Sequence, residues 1–265
     1  MNVRSSASTN PVGDTAPEPQ EPGSPSAAPE RSAAGRSIRK PSLIAGVALL
    51  LLSALAAFGN VVVVQGLVTS GDAATTASDI LASDGLFRLG VASLYVVIVL
   101  DVVVAWALLG VFSPVNRDIS RLAAWFRIAY AGVYMVAIGQ LAGIRPDLLN
   151  SEGYANVFTA EQLQAQALLR AEAFTDIWMA GLILFGVHLF LLGYLAYRSS
   201  YVPKVIGVLL AIAGVGYAFD SFFTVFTEGS PFAISTVTFL GEFLLALWLL
   251  IRGRRISLEA AGHGI

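Results

Sequence analysis

The hydrophobic positions of the chain fall into six runs, each about twenty residues long, which is the length needed to cross a ~30 Å hydrocarbon core. Inside lipid, every backbone polar group must be paired within its own segment, so each run predicts a helix. We therefore expect an all-α fold, a polytopic six-helix transmembrane bundle. The predicted spans are residues 43–68, 89–112, 122–144, 174–197, 202–226 and 232–251.

Basic residues concentrate in alternate connecting segments. Lys and Arg are enriched in the cytoplasmic loops of membrane proteins. The alternation predicts that both termini are cytoplasmic and that the number of spans is even. The basic side has Arg31, Arg36, Arg39, Lys40, Arg117, Arg121, Arg198, Lys204, Arg252, Arg254 and Arg255, and the other side has Arg88, Arg145 and Arg170.

The two ends of the chain differ from the apolar runs. Residues 1–38 are rich in Pro, Ser, Ala, Glu and Gly and have no apolar periodicity. Such a segment cannot bury enough apolar surface to offset its ordering entropy. We predict a disordered cytoplasmic tail over 1–38, a six-helix membrane domain over 39–256 and a short cytoplasmic tail over 257–265.

The longest segment on the less basic side, residues 145–173, contains a helix start. Thr159-Ala160-Glu161-Gln162 fits a capping box, in which a Thr side chain and a Gln side chain each bond the other's backbone N–H. No proline follows before the fourth span. We expect one long helix that begins near Thr159 and continues through the membrane.

Composition narrows the chemistry. Hydrophobic residues make up 56% of the chain and charged residues 13%, about half the charged fraction of a soluble domain. The absence of Cys and the presence of only two His exclude thiol chemistry and a multi-histidine metal site. A net charge of −2 without a broad basic face argues against a nucleic-acid partner. We find no catalytic motif and expect no cofactor, no dedicated metal site and no assigned catalytic residue, which favours a protein that is not an enzyme.

Ionisable side chains within the spans are costly and suggest function. Asp101, His188 and Glu242 lie nine to eleven residues from the basic-side ends of their spans, roughly 14–16 Å deep at the helical rise. Arg127 lies slightly closer to that side. These four residues form the candidate intramembrane polar cluster. The secondary candidates are Asp176 and Asp220.

Three interpretations of this cluster stay open. The carboxylates could pair with Arg127 and fix the bundle in a dry interior. They could instead line a cavity in a small proton-coupled transporter or ligand-binding membrane protein, with His188 exchanging protons. Asp101, His188 and Glu242 could also hold a metal ion in an intramembrane enzyme.

Small residues predict where helices approach closely. Gly139 and Gly143 form a GxxxG pair on the third span, and Gly207 with Ala211, then Gly214 with Gly216, have the same role on the fifth. We interpret all of them as packing positions.

Three stretches carry a resemblance. They are the loop and helix start from Ser113 to Tyr130, the segment from Leu184 to Gly207 with its Arg-Ser-Ser-Tyr-Val-Pro turn, and the Gly-Glu-Phe-Leu-Leu-Ala-Leu-Trp-Leu-Leu run from Gly241. Together they resemble the bacterial membrane family called domain of unknown function 4386, over residues 40–255. The resemblance implies about six membrane helices, a location in the inner or plasma membrane of a prokaryote, and no established activity.

The sequence thus predicts an integral membrane protein of unknown role with a buried polar site at the bilayer midplane. The expected partners are the lipid bilayer and a small-molecule ligand of unknown identity. A homo-oligomer is compatible with the pattern.

Overall fold

A computed structural model describes residues 37–146, 157–224 and 234–256. The predicted tail over 1–38 lies outside the described residues except for its last two, and the predicted tail over 257–265 lies entirely outside them. All described residues belong to one compact unit.

The described residues form helices and no β-strand. Among the described residues, five helices are long and apolar enough to cross a membrane. They are Arg39–Leu67, Asp84–Phe112, Arg117–Ala142, Ala160–Arg198 and Lys204–Phe223. The sixth predicted span begins outside the described residues, and its apolar described part, Leu240–Ile251, is shorter. The helices are α1 (Arg39–Leu67), α2 (Ala73–Ala82), α3 (Asp84–Phe112), α4 (Arg117–Ala142), α5 (Ala160–Arg198), α6 (Lys204–Thr224) and α7 (Ile234–Ile251), followed by a 3₁₀ turn at Gly253–Arg255.

Helix α1 is interrupted by a π-helical segment, Phe58–Val64. The segment packs against α3, where a Cβ placed on Gly90 would meet the side chain of Val63 at 2.5 Å. Leu94 of α3 would likewise meet a Cβ placed on Gly59 at 2.5 Å. The two glycines therefore allow the π segment and α3 to approach closely.

Side-chain caps set the starts of the two central helices. The Asn116 side chain accepts hydrogen bonds from the backbone N–H groups of Asp118 and Ile119 at 3.1 and 3.0 Å, and so begins α4. The predicted capping box at Thr159 is confirmed, because its hydroxyl accepts from the Gln162 N–H and the Gln162 side chain accepts from the Thr159 N–H.

The long helix predicted to follow that box is also confirmed. Helix α5 has 39 residues, which corresponds to roughly 58 Å at 1.5 Å per residue. A ~30 Å hydrocarbon core leaves much of this length outside the apolar layer. The short helix α2 packs against α5.

The six longer helices pack in a ring. Each contacts its neighbours in chain order, from α1 to α3, α4, α5, α6 and α7, and α7 returns to contact α1. The most extensive of these contacts joins α5 to α6. Side chains that face the inside of the ring therefore come from several helices at once.

Glycines explain the close approach of α5 and α6. A Cβ placed on Gly193 of α5 would meet the Gly207 carbonyl oxygen and the Ala211 nitrogen of α6 at 2.6 Å. A Cβ on Gly214 would meet the Gly186 carbonyl oxygen at 2.5 Å. Packing at Gly207 and Gly214 is thus confirmed.

The GxxxG pair on α4 differs from its prediction. A Cβ placed on Gly139 would have no described atom within 4 Å, whereas one on Gly143 would meet the side chain of Arg170. Only the second glycine of this pair lies in a close contact in the described part of the chain.

One end of the ring collects most of the basic residues, and we call it the basic end. There the Tyr201 hydroxyl of the α5–α6 turn donates to the Val111 carbonyl of α3 at 2.7 Å. A Cβ on Gly253, just after α7, would meet Ser42 of α1 at 3.0 Å. The exposed basic side chains of this end are Arg39, Lys40, Arg117, Arg121, Arg198, Lys204, Arg252 and Arg255.

Candidate functional site: a buried arginine and its partners

Arg127 lies on the face of α4 that points into the ring. Its side chain is 1% exposed, and it is the bulkiest of the fully buried side chains. Ala123, Tyr130 and Tyr134 share this face because residues three, four and seven apart are neighbours along a helix. All of them are buried. Helix α4 therefore presents a cationic group to the interior with aromatic rings beside it.

Asp101 of α3 is the nearest carboxylate to Arg127. The guanidinium Nη2 lies 2.6 Å from the carboxylate Oδ1, and the Asp101 side chain is 3% exposed. Among the described residues, the Nε group of Arg127 has no hydrogen-bond acceptor. Charge attraction in a low-dielectric interior is what holds this pair together.

His188 of α5 contacts the same guanidinium. Its Nδ1 lies 2.8 Å from the carbonyl oxygen of Ala123, and its Nε2 lies 3.2 Å from Arg127 Nη1. A carbonyl can only accept, and a guanidinium can only donate. Nδ1 therefore carries the proton and Nε2 accepts, which assigns a neutral imidazole from its two neighbours. This arrangement does not suit His188 as the proton-exchanging group.

Glu242 of α7 completes the set on the other side of Arg127. Its Oε2 lies 3.8 Å from Arg127 Nη1, and its side chain is 14% exposed. Glu242 is therefore held more loosely than Asp101 and is less enclosed. The four predicted candidates come together, with Arg127 at the centre and the other three each in contact with it. We call Asp101, Arg127, His188 and Glu242 the Arg127 cluster.

Phe185 packs beside the cluster. The guanidinium carbon of Arg127 lies 5.4 Å from the centre of the Phe185 ring, within the range of a cation–π interaction. The same ring lies 5.8 Å from His188 and 4.7 Å from Tyr130. The Phe185 ring therefore covers one side of the Arg127 guanidinium group.

A column of polar and aromatic side chains continues from the cluster away from the basic end. The indole N–H of Trp178 donates to the Tyr130 hydroxyl at 3.1 Å. One turn further, the Tyr134 hydroxyl lies 2.9 Å from Nδ2 and 3.3 Å from Oδ1 of Asn60. Asn60 lies in the π-helical segment of α1. The column therefore links α1, α4 and α5 through hydrogen bonds.

Comparison with known proteins identifies the chain's relatives. Residues 44–253 match the family described as Domain of unknown function (DUF4386). The chain belongs to this family. It is also 35% identical, over 167 residues, to an uncharacterised protein of Archaeoglobus fulgidus, an alignment that covers 63% of this chain and 85% of that protein. No solved structure matches.

The secondary candidates of this DUF4386 protein lie elsewhere. Asp176 on α5 is exposed. Asp220 on α6 is 4% exposed and lies close to the end of that helix opposite the basic end. Tyr217, which packs edge-on against Phe185 at 5.6 Å, lies one turn closer to the cluster than Asp220 does.

The metal interpretation finds no support in the described part of this DUF4386 protein. No group of three or more Asp, Glu, His or Cys residues is placed there to share a metal ion. The lone pair of His188 Nε2 is directed at a cation, the guanidinium of Arg127. A narrow cleft beside His188, bounded by Ala123 and Leu192, has no room for a water-sized molecule.

The tyrosines of the column were not among the site residues predicted from the sequence. Tyr130 and Tyr134 follow Arg127 at three and seven residues, on one helical face. That spacing of polar-tipped aromatics within an apolar span was the available signal.

Proposed function

We propose that this protein is a six-span protein of the prokaryotic cell membrane with both termini in the cytoplasm. The ring formed by α1 and α3–α7 supports α7 as a sixth span, because α7 packs between α6 and α1. The basic end supports the orientation, since Lys and Arg favour the cytoplasmic side.

Cysteine labelling tests this topology directly, because the chain has no cysteine of its own. Asp118→Cys places a thiol at the basic end, and Ala74→Cys places one on α2; both positions are exposed. A membrane-impermeant maleimide should label Ala74→Cys in intact cells and Asp118→Cys only after permeabilisation. The reverse pattern would overturn the orientation.

We further propose that the Arg127 cluster is the core of a small proton-coupled transporter. The observation that carries the proposal is that one buried guanidinium serves two carboxylates at unequal distances, the buried Asp101 at 2.6 Å and the partly buried Glu242 at 3.8 Å. His188 contributes no charge in its assigned tautomer.

The net charge of the Arg127 cluster determines the proposed mechanism. With both carboxylates ionised the cluster carries a net charge of about −1, which is costly away from water. Uptake of one proton removes that surplus. Glu242 is the group to accept it, because it is farther from Arg127 and more accessible than Asp101. Loss of that proton would draw Glu242 towards Arg127 and move α7 relative to α4.

Unused hydrogen-bonding capacity supports a polar solute at the same place. The Nε group of Arg127 has no hydrogen-bond acceptor among the described residues. Buried donors normally have partners. A small solute with an acceptor group could use this donor when the helices separate.

A second candidate role is structural. The short Asp101–Arg127 distance of 2.6 Å favours it, because a buried pair of this kind fixes α3 against α4 without any ligand. In that case the cluster sets the register of the bundle, and the proton content of the protein does not change near neutral pH.

Infrared difference spectroscopy separates the two roles. The carbonyl stretch of a protonated carboxyl group is measured on the purified protein at a series of pH values. We expect a band that disappears as the pH is raised in the wild type and is absent in Glu242→Gln. Asp101→Asn should also lack it, because Glu242 would then be the sole anion beside Arg127 and would stay ionised.

Asp176→Asn is the matched control, since it removes an exposed carboxylate from another span and should leave the band unchanged. A band that persists in Glu242→Gln would contradict the assignment. If the wild type shows no carboxyl band that titrates, only the structural role remains. Reconstituted vesicles with a pH-sensitive dye then test whether protons cross the membrane.

A further inference from the structure

A groove opens at the basic end, outside the Arg127 cluster. It lies between the α5–α6 turn and the residues that follow α7, and its volume is about 900 Å³. It does not depend on the proton-coupled role proposed above. The residues that line it are Tyr201, Pro203, Trp248, Arg252, Arg255 and Ile256.

Two aromatic rings form a fixed wall of this groove. The rings of Tyr201 and Trp248 are stacked at 6.4 Å with an interplanar angle of 26°. The Tyr201 hydroxyl is held by the Val111 carbonyl, so this residue presents its ring rather than its hydroxyl. Trp248 lies three residues before the end of α7, roughly 4.5 Å below that end. Aromatic rings at this depth belong to the interface between headgroups and acyl chains.

Two guanidinium groups lie on the polar side of these rings. Arg252 and Arg255 both line the groove and are both exposed. Guanidinium groups bind phosphate through paired N–H groups. The other lining residues, Tyr201, Pro203, Trp248 and Ile256, are mainly apolar. The groove therefore combines cationic and apolar groups, as a phospholipid combines a charged headgroup with acyl chains.

We propose that this groove binds one anionic phospholipid, with its phosphate on Arg252 and Arg255 and its glycerol region against Trp248 and Tyr201. Charge complementarity selects the occupant, because basic groups at the cytoplasmic interface attract anionic lipids. A zwitterionic lipid would gain the aromatic contacts but little net charge attraction.

The test is native mass spectrometry of the full-length protein in detergent with phosphatidylglycerol or phosphatidylcholine added. The wild type should retain one phosphatidylglycerol in preference to phosphatidylcholine. Arg252→Gln/Arg255→Gln should reduce that preference roughly tenfold or more, as expected for the loss of two cations beside the lipid. Arg252→Lys/Arg255→Lys should keep most of it. Thermal unfolding without lipid checks that both variants fold.

Arg117→Gln/Arg121→Gln is the matched control, because it removes the same charge from the same end but away from the groove. It should leave the preference unchanged. An equal loss in this control, or equal retention of the two lipids by the wild type, would overturn the proposal. Displacement of the lipid by inorganic phosphate alone would also overturn it, by showing a site for free phosphate. Trp248→Leu should weaken retention of the lipid without changing the response to inorganic phosphate.

Discussion

Arg127 Nη2 on α4 lies 2.6 Å from Asp101 Oδ1 on α3, and the two side chains are only 1% and 3% exposed. Each charge is therefore shielded from solvent and is compensated chiefly by the other charge. Removing one partner of such a pair costs far more than the pair contributes, because the remaining charge stays buried without compensation.

Arg127→Met should destabilise the bundle by about 3–5 kcal/mol, the usual cost of breaking a buried ion pair. Asp101 and Glu242 would then face each other's charge without the guanidinium. The measurement is the loss of folded protein in a detergent thermal-unfolding assay. The double variant Asp101→Asn/Arg127→Met should recover part of the loss, and a double variant no more stable than Arg127→Met would argue against the pair.

His188 should exist as the Nδ1–H tautomer. The Ala123 carbonyl can only accept from Nδ1, and Arg127 can only donate to Nε2. Nitrogen NMR of imidazole-labelled protein distinguishes the protonated from the unprotonated ring nitrogen. His263 is the second histidine of the chain, so His263→Gln assigns the signal. A protonated Nε2 would contradict the hydrogen-bond assignment.

Gly193→Ala should destabilise the protein by about 1–3 kcal/mol, the usual cost of overpacking. The added methyl group would lie 2.6 Å from backbone atoms of Gly207 and Ala211, which cannot move aside as a flexible side chain could. Gly132→Ala is the matched control, because no described atom lies within 4 Å of its added Cβ. That variant should be neutral or more stable by up to about 1 kcal/mol, and equal losses in the two would contradict the packing argument.

The contact between Asn60 and Tyr134 should be measurable in a double-mutant cycle. Tyr134→Phe removes the hydroxyl that lies 2.9 Å from Asn60 Nδ2, while the Asn60 amide keeps its bond to the Ala56 carbonyl at 3.0 Å. Hydrogen bonds between membrane helices average about 0.6 kcal/mol and reach about 1.7. Tyr134→Phe, Asn60→Val and their combination should give a coupling in that range, and a coupling of zero would show that the contact does not stabilise the bundle.

Asp72 should give α2 a pH-dependent stability. Its carboxylate accepts from the Thr75 backbone N–H at 2.9 Å and from the Thr75 hydroxyl at 2.8 Å. The backbone bond first, and then the side-chain bond, lowers the pKa of Asp72 below its usual value. A lowered pKa means that the stabilisation is complete above the unfolded pKa and is lost as the pH falls through the folded pKa.

Hydrogen exchange of the α2 amides measures this effect. Asp72→Ala should speed exchange at neutral pH, and its effect should be smaller at a pH below the folded pKa, where the carboxyl group is neutral. Asp72→Ser is the control, because serine also caps helices but does not ionise near neutral pH. A pH dependence that persists in Asp72→Ser would assign the effect to another group.

The sequence predicts the helices well, because the bilayer imposes a single requirement on every span. The need to pair backbone groups in lipid makes each long apolar run helical, and the C-terminal ends of α3 and α5, Phe112 and Arg198, agree with the predicted spans to within one residue. The capping box at Thr159 also fixes the start of α5 locally. Such features depend on neighbouring residues and on the solvent, not on the rest of the fold.

The depth of the cluster residues in the membrane was predictable from the sequence, but their contacts with one another were not. The helical rise places Asp101, His188 and Glu242 at one level. Whether they meet depends on the rotation of each helix about its axis, which packing at positions such as Gly193 and Gly214 determines. The π-helical segment was not predicted, for a different reason. Phe58–Val64 has no sequence signal of its own that separates a π turn from an α turn.

The π-helical segment also bears on how the length of this chain can vary among related proteins. Within it the Gln65 N–H donates to the Asn60 carbonyl, five residues back instead of four, so one extra residue is absorbed locally. Deleting one residue here, at the exposed positions Val61 or Val62, would leave an ordinary α-helix whose two flanks keep their faces. A deletion elsewhere in α1 would rotate every later residue by about 100°. A one-residue deletion would therefore be accommodated at this segment, in a helix whose length is otherwise constrained.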